Sequence, residues 1–337
     1  MGFKAIFQLG IGFTTKTQTE GQKAMSDQLT RFLNDYGTKM EEALLFWLPL
    51  SDNPGTDLFN KAVHYALFPS GKRMRPLFTL LAAKSVGGEP EKAITIACAI
   101  EYFHTCSLIF DDLPAMDNAR ERRGKQATHQ VFGEDAAMLA ALALLNQGYG
   151  LAGQMEFPED QKNRMRRLMH EVTTCIGSNG MIGGQMVDLG LRKNVNKQLR
   201  SVSYTKTTAL TRLMLTTGAI VGGANDEQIE ILAAFGEDLG QAYQMLDDIV
   251  DEFEDRAKTG LYPMGIDIHS LWHAANEKLK KSLENVVKDL GNDNAGLLIE
   301  LTEKVFRKFK KQAADHLAEE KWAYSSGSHD GTDLRPE

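Results

Sequence analysis

Three aspartates, Asp111, Asp112 and Asp117, close the apolar stretch Phe103-His104-Thr105-Cys106-Ser107-Leu108-Ile109-Phe110. The apolar residues before Asp111 fall on one face, as a buried helix requires. Pro114 has no N–H and clashes with the preceding turn, so the helix should end or kink just before it and let Asp117 curl back toward Asp111. Clustered carboxylates repel by up to about 4 kcal/mol per pair at ~4 Å, at an effective dielectric of about 20. On a surface such a cluster is a solvated helix end; buried, it needs a cation.

A second acidic cluster favours the buried reading. Asp247, Asp248 and Asp251 lie among Leu239, Tyr243, Leu246, Ile249, Val250 and Phe253. Asp247 and Asp251 share a helix face, about 6 Å apart along the axis. Like charges at that spacing destabilise a bare helix. Two such groups suggest divalent cations held between them. Hard oxygen ligands favour magnesium, which takes a few carboxylates plus substrate phosphates. No His and Cys cluster at ligand spacing points to zinc.

Basic residues complement the acids. Gly71-Lys72-Arg73-Met74-Arg75-Pro76 is a basic turn before an apolar helix, and Arg122-Arg123-Gly124 follows the first cluster. Lys206-Thr207 falls inside an expected helix over 198–217. Alone, these are a solvated loop, a surface pair and a snorkelling lysine. Around a diphosphate, lysine is a point charge and arginine a fork for two oxygens. His104 stands two turns before Asp111 on nearly the same face; a lone histidine is most often a satisfied core residue.

The elements that must carry these groups are helices. Leu29, Phe32, Leu33, Tyr36, Met40, Leu44 and Leu45 recur at helical spacing from Asp27 onward. A turn-rich loop at 51–55 precedes a helix over Asp57 to Leu67. Further helices are expected over 77–86, 133–153, 270–290 and 294–321. No strand alternation and no repeat stands out, so the fold class is all-α. Residues 1–25 are expected to form an arm, 26–322 one helical domain, and the polar 323–337 a disordered tail. Glycines 177, 180, 183, 184 and 190 around Gln185 and Asp188 suit close helix packing, not a dinucleotide loop.

Composition bounds the function. The 337 residues are 42% hydrophobic and 25% charged, with a net charge of −7, which argues against a general nucleic-acid binder. Cys98, Cys106 and Cys175 lie in apolar stretches; an odd, sparse set implies reduced thiols and a cytoplasmic location. No uninterrupted apolar run reaches ~18 residues, so no transmembrane segment is expected. No signal peptide is expected, and Ile6 stands where a myristoylation site wants Ser or Thr.

Asp111-Asp112-x-x-x-x-Asp117 with Arg122-Arg123-Gly124 behind it, and Asp247-Asp248-x-x-Asp251 later, closely resemble the two aspartate-rich motifs of trans-prenyl diphosphate synthases. The match runs from about Gly71 to Asp251. The resemblance implies a large helical bundle around a deep central cavity and a homodimer. It implies magnesium, three ions in the substrate complex, on Asp111, Asp112, Asp117, Asp247, Asp248 and Asp251. Isopentenyl diphosphate would be held by Lys72, Arg75, His104 and Arg123, with Arg73 in the same Gly-Lys-Arg-x-Arg segment. The allylic substrate would be bound by Arg122 and Lys206 at its diphosphate, with the Thr207 oxygen near the forming cation and Gln244 beside this pair. Asp111, Asp117, Lys206 and Asp247 would be the catalytic set, and Asp188 a supporting acceptor for the basic residues.

The implied reaction ionises the allylic diphosphate, adds isopentenyl diphosphate to the allylic cation and loses a proton, with no His or Glu base required. Phe103, Cys106 and Ser107 would set chain length. Cys106 is about 7.5 Å up the helix from Asp111. Its small side chain and the four-residue gap between Asp112 and Asp117 resemble synthases making geranylgeranyl diphosphate, with farnesyl diphosphate second. The sequence departs from the family pattern at Gln126, at Thr208 and after Asp251, where Lys258 takes one late lysine's place and the last has no match. Two rivals remain. A class I terpene cyclase would carry an Asn/Ser/Glu triad, which Asp247-Asp248-x-x-Asp251 is not. A weakly catalytic partner subunit is supported only by the thin match after Asp251.

Overall fold

The computed structural model describes residues 16–68, 71, 73–192, 204–259, 268–291, 293–307 and 310–311. Helices α1 (Lys16–Phe46), α2 (Asp57–Leu67), α3 (Met74–Ser85) and α4 (Ile94–Asp112) form the first half. A hairpin of Glu121–Arg122 (β1) and Lys125–Gln126 (β2) then leads to α5 (Thr128–Phe132), α6 (Glu134–Gly153), α7 (Lys162–Ile176) and α8 (Met181–Arg192). Next come α9 (Thr205–Val221), α10 (Asp226–Thr259) and α11 (Ile268–Leu290), then a helix over 293–307, α12. The all-α expectation holds.

Two helices form the centre. α4 is apolar nearly all round and packs against α3, α6 and α9. Its Ile96, Ile100 and Phe103 are fully buried, each contributing about 1.5–3 kcal/mol. α9 packs against α3, α7, α8 and α10. The 23 residues Pro90–Asp112 and the 20 residues of α6 are long and apolar enough to cross a membrane by length and composition. The first is 78% buried inside the protein over its most apolar window, which makes it a core helix.

Several bounds differ from the sequence expectation. α1 begins at Lys16, within the stretch read as an arm, and no break marks the expected boundary near 25. Residues 16–24 are rich in good helix formers with no proline, so the helix extends beyond the apolar stripe that signals it. The β1–β2 hairpin was not foreseen. Arg123 (φ 54) and Gly124 (φ 76) form its two-residue loop, both with positive φ as a type I′ turn needs. Strands of two residues are too short to show alternation. The tail 323–337, the first 15 residues and Lys72 lie outside the described residues.

Candidate active site

The first acidic group forms as its local sequence demands. α4 stops at Asp112, Leu113 turns extended before Pro114, and the Asp117 N–H donates to the Asp111 carbonyl at 2.9 Å. The Ala119 N–H likewise caps the Asp112 carbonyl at 3.1 Å. The loop thus returns to the helix end it left. Asp111 and Asp112 are only 7% and 3% exposed. Burial pushes the Asp111 carboxyl pKa up; Lys206 opposes that shift and Asp117 adds to it.

Protein cations stand against both carboxylates. Lys206, in the first turn of α9, donates from Nζ to Asp111 Oδ2 at 2.6 Å and to Gln185 Oε1 at 2.5 Å. Arg122, on the hairpin, donates to Asp112 Oδ1 from Nε at 2.8 Å. Gly184 lets α8 approach: a Cβ there would lie 2.3 Å from the Lys206 nitrogen. This is the close packing expected of the glycine cluster.

The second acidic group joins the same site through α9. Thr207 Oγ1 donates to Gln244 Oε1 at 2.9 Å, and Gln244 Nε2 donates to Asp248 Oδ1 at 3.1 Å. The Tyr204 hydroxyl donates to Asp248 Oδ2 at 2.9 Å. A cavity of about 230 Å³ brings Asp111, Lys206, Thr207, Gln244 and Asp248 to one space, with Asp188 on its wall. Asp247 precedes Asp248 on α10, and Asp251 lies one turn on, exposed.

A cationic corner adjoins this space. His104 Nε2 lies 2.9 Å from Arg75 Nη1 and 2.9 Å from Arg123 Nη2. Both arginines are obligate donors, so Nε2 accepts and the proton sits on Nδ1. Burial, then the neighbouring Arg75 and Arg123, hold the His104 pKa well below its usual value. Burial also lowers the Arg75 pKa, and its Nε is buried without a partner. A larger cavity of about 870 Å³ shares Arg75 and Thr207 with the first and is walled by apolar residues such as Leu77, Phe78 and Leu239.

Of the positions expected to set chain length, Ser107 lines the smaller cavity together with Leu108. Phe103 and Cys106 are packed away in the core. The Phe103 ring meets Tyr149 edge to face at 5.2 Å and lies over Gly148, where a Cβ would fall 2.6 Å from its Cε1. Burial, with a smaller push from Asp111, raises the Cys106 thiol to about 12, and all three cysteines are free and buried.

The sequence alone left Tyr204, Gln185, Leu108 and Glu101 unassigned. Gln185 had a signal, standing with Asp188 among the clustered glycines; Tyr204 had none. Among the described residues no three acidic, His or Cys side chains converge tightly enough to chelate an ion by themselves. The donors are nonetheless all hard oxygens on two sides of one cavity. That suits a magnesium ion whose shell is completed by phosphate.

The model of the polyprenyl synthetase family matches residues 56–271, a span that includes every one of these groups. The chain belongs to that family. It is therefore a prenyltransferase of the trans-isoprenyl diphosphate synthase group. It is 36% identical over 258 residues to geranylgeranyl pyrophosphate synthase 3 of Arabidopsis thaliana, covering 72% of this chain and 71% of that one. It is also 36% identical over 238 residues to the farnesyl diphosphate synthase of Bacillus subtilis, covering 70% and 80%. Among solved structures, an FPP/GFPP synthase from Zymomonas mobilis superposes with a TM-score of 0.71 at 26% identity, over 82% of this chain and 98% of that one. A geranyltransferase from Legionella pneumophila gives 0.66 at 25% identity, over 86% and 98%. Prenyl synthases of this family act on isoprenoid diphosphates and are generally metal-dependent.

Proposed function

We propose that this prenyltransferase condenses isopentenyl diphosphate with allylic diphosphates and releases geranylgeranyl diphosphate. The observation that carries this is the meeting of Asp111, Lys206, Gln244 and Asp248 at one cavity, beside the Arg75–His104–Arg123 corner. The acids would hold the leaving diphosphate through metal, and the corner would hold the second diphosphate.

Asp111, Asp112, Asp117, Asp247, Asp248 and Asp251 are the residues to hold magnesium. When bound, it would supply Lewis-acid stabilisation of the departing diphosphate. Lys206 and Arg122, already against these carboxylates, would turn to the phosphate oxygens and spread the charge that develops there. Arg75, with its unpartnered buried Nε, Arg123 and neutral His104 would fix the isopentenyl diphosphate. Thr207 and Gln244 would orient the reacting carbons from α9 and α10. The apolar space beside Arg75 and Thr207 would keep water from the allylic cation. Lys258 lies in the last turns of α10, and residues 260–267 beyond it are outside the described residues.

Product length would be set where Ser107 and Leu108 line the smaller cavity, with the small Cys106 and the Phe103 ring packed behind them. A homodimer is supported by the exposed apolar stripe Met138, Leu139 and Leu142 on α6, which a copy of the same face would cover. Three reduced thiols suit a cytoplasmic enzyme. The test is incubation with magnesium, labelled isopentenyl diphosphate and, separately, dimethylallyl, geranyl and farnesyl diphosphates. A twenty-carbon product supports the proposal. A fifteen-carbon end point keeps the chemistry and replaces the product by farnesyl diphosphate. No condensation by folded protein overturns it in favour of a partner subunit.

A further inference from the structure

Arg73 stands two residues before Arg75, yet its own guanidinium is occupied by protein. It is 5% exposed. Its Nε and Nη2 donate to the two Glu41 carboxylate oxygens at 2.8 and 3.2 Å. Its Nη1 donates to Glu101 Oε1 at 2.8 Å, and Nη2 also to the Leu67 carbonyl at 2.8 Å. All three nitrogens of the fork donate to protein, so the guanidinium is held by α1, α2 and α4 at once.

The backbone at Arg73 has φ 45, in the left-handed region that strains an L side chain. A non-glycine residue persists there only when its surroundings over-determine it. The surroundings here are α1 through Glu41, the end of α2 through Leu67, and α4 through Glu101. His104, the partner of Arg75, lies one turn beyond Glu101 on the same helix. The entry to α3 therefore grips α4 at two points: the cap residue Arg73 on Glu101 and Arg75, in the first turn of α3, on His104. Residues two apart at this entry meet residues three apart on α4. Lysine could not reproduce this, because a single ammonium cannot hold three acceptors on three elements in fixed directions.

We propose that Arg73, together with Glu101, is a positioning residue that holds Arg75 against His104 and so sets the affinity for isopentenyl diphosphate. This rests on reading Arg75, His104 and Arg123 as the isopentenyl diphosphate site. The allylic side is carried by Asp111, Asp112 and Lys206, none of which touches Arg73. The effect of losing Arg73 therefore falls on one substrate. A purely structural role would move both.

The experiment compares Arg73→Gly, Glu101→Gln and Arg75→Ala in the full-length enzyme with magnesium, measuring KM for each substrate, kcat and thermal melting. Glycine accepts the left-handed backbone, so Arg73→Gly removes the fork without adding strain. KM for isopentenyl diphosphate is expected to rise about ten- to a hundredfold in Arg73→Gly. KM for the allylic diphosphate should stay within about twofold. A folded Arg73→Gly with both KM values unchanged, or both raised together, overturns the positioning role. Should Arg73→Gly not fold, Glu101→Gln carries the test, since it keeps the side-chain shape and one acceptor oxygen. The same one-sided rise supports the proposal. No rise, a rise in both, or failure to fold here too makes the pair a structural tie only. Arg75→Ala separates the two layers. Its silence on isopentenyl diphosphate overturns the site reading, whereas its normal effect beside a silent Arg73→Gly overturns positioning alone.

Discussion

Lys206 Nζ and Asp111 Oδ2, 2.6 Å apart, tie the first turn of α9 to the last turn of α4. The ammonium neutralises a carboxylate whose pKa burial has pushed up. In the working enzyme the same ammonium is proposed to swing onto the allylic diphosphate. Lys206→Gln keeps the length and removes the charge, so kcat should fall by about 10²–10³. Steady-state rates at saturating isopentenyl diphosphate check this; a fall below about threefold would remove Lys206 from the ionisation step.

His104 predicts a dependence of stability on pH. It is held neutral by burial and by Arg75 and Arg123, whereas in the unfolded chain it titrates near 6.5. Above that pH both states are neutral and His104 costs nothing. As pH falls below it, the unfolded chain takes up a proton that the folded one refuses. Stability should fall by up to ~1.4 kcal/mol per pH unit until the depressed folded pKa is reached. His104→Gln cannot titrate, so its urea midpoint should fall less steeply than that of the wild type as pH drops through this window.

Chain length offers a paired test behind Asp111. Cys106→Tyr is expected to shorten the product toward fifteen carbons. Gly148→Ala acts from the facing helix, because its new Cβ would fall 2.6 Å from Phe103 Cε1 and force the ring to move. That overpacking should cost about 1–3 kcal/mol in thermal stability and alter the product distribution. Product chromatography and melting curves check both. An unchanged length in Cys106→Tyr would remove Cys106 from the wall along which the chain grows.

The apolar stripe on α6 bears on assembly. Leu139 and Leu142 are 56% and 51% exposed on a helix whose other face packs on α4. Replacing both with aspartate should convert a dimer to a monomer in size-exclusion chromatography with light scattering. A wild-type monomer would remove the homodimer, and a variant that stays dimeric would move the pairing surface elsewhere.

Much of this protein was legible one segment at a time. The helix Asp57–Leu67 matches its expected bounds, and α4 stops where Pro114 requires. Both depend on periodicity and on proline's missing donor, which act over a few residues. The return of Asp117 to Asp111 is likewise local, closed by one backbone hydrogen bond. The early start of α1 and the short Glu121–Gln126 hairpin escaped because neither carries an apolar pattern to read.

The sequence by itself determined which groups are present, their spacing along each helix and the family they resemble. Only the tertiary structure decided which of them meet. Lys206 reaches Asp111 across 95 positions and Tyr204 reaches Asp248 across 44, and no local rule encodes either pairing. The same is true of the division between Arg73 and Arg75. They are two neighbouring arginines in one basic turn, yet one is consumed by Glu41 and Glu101 and the other left with a free buried Nε. The reason is physical: helices form from contacts within a few residues, but their mutual placement follows from how their apolar faces pack, and the polar groups at their ends go where that packing carries them.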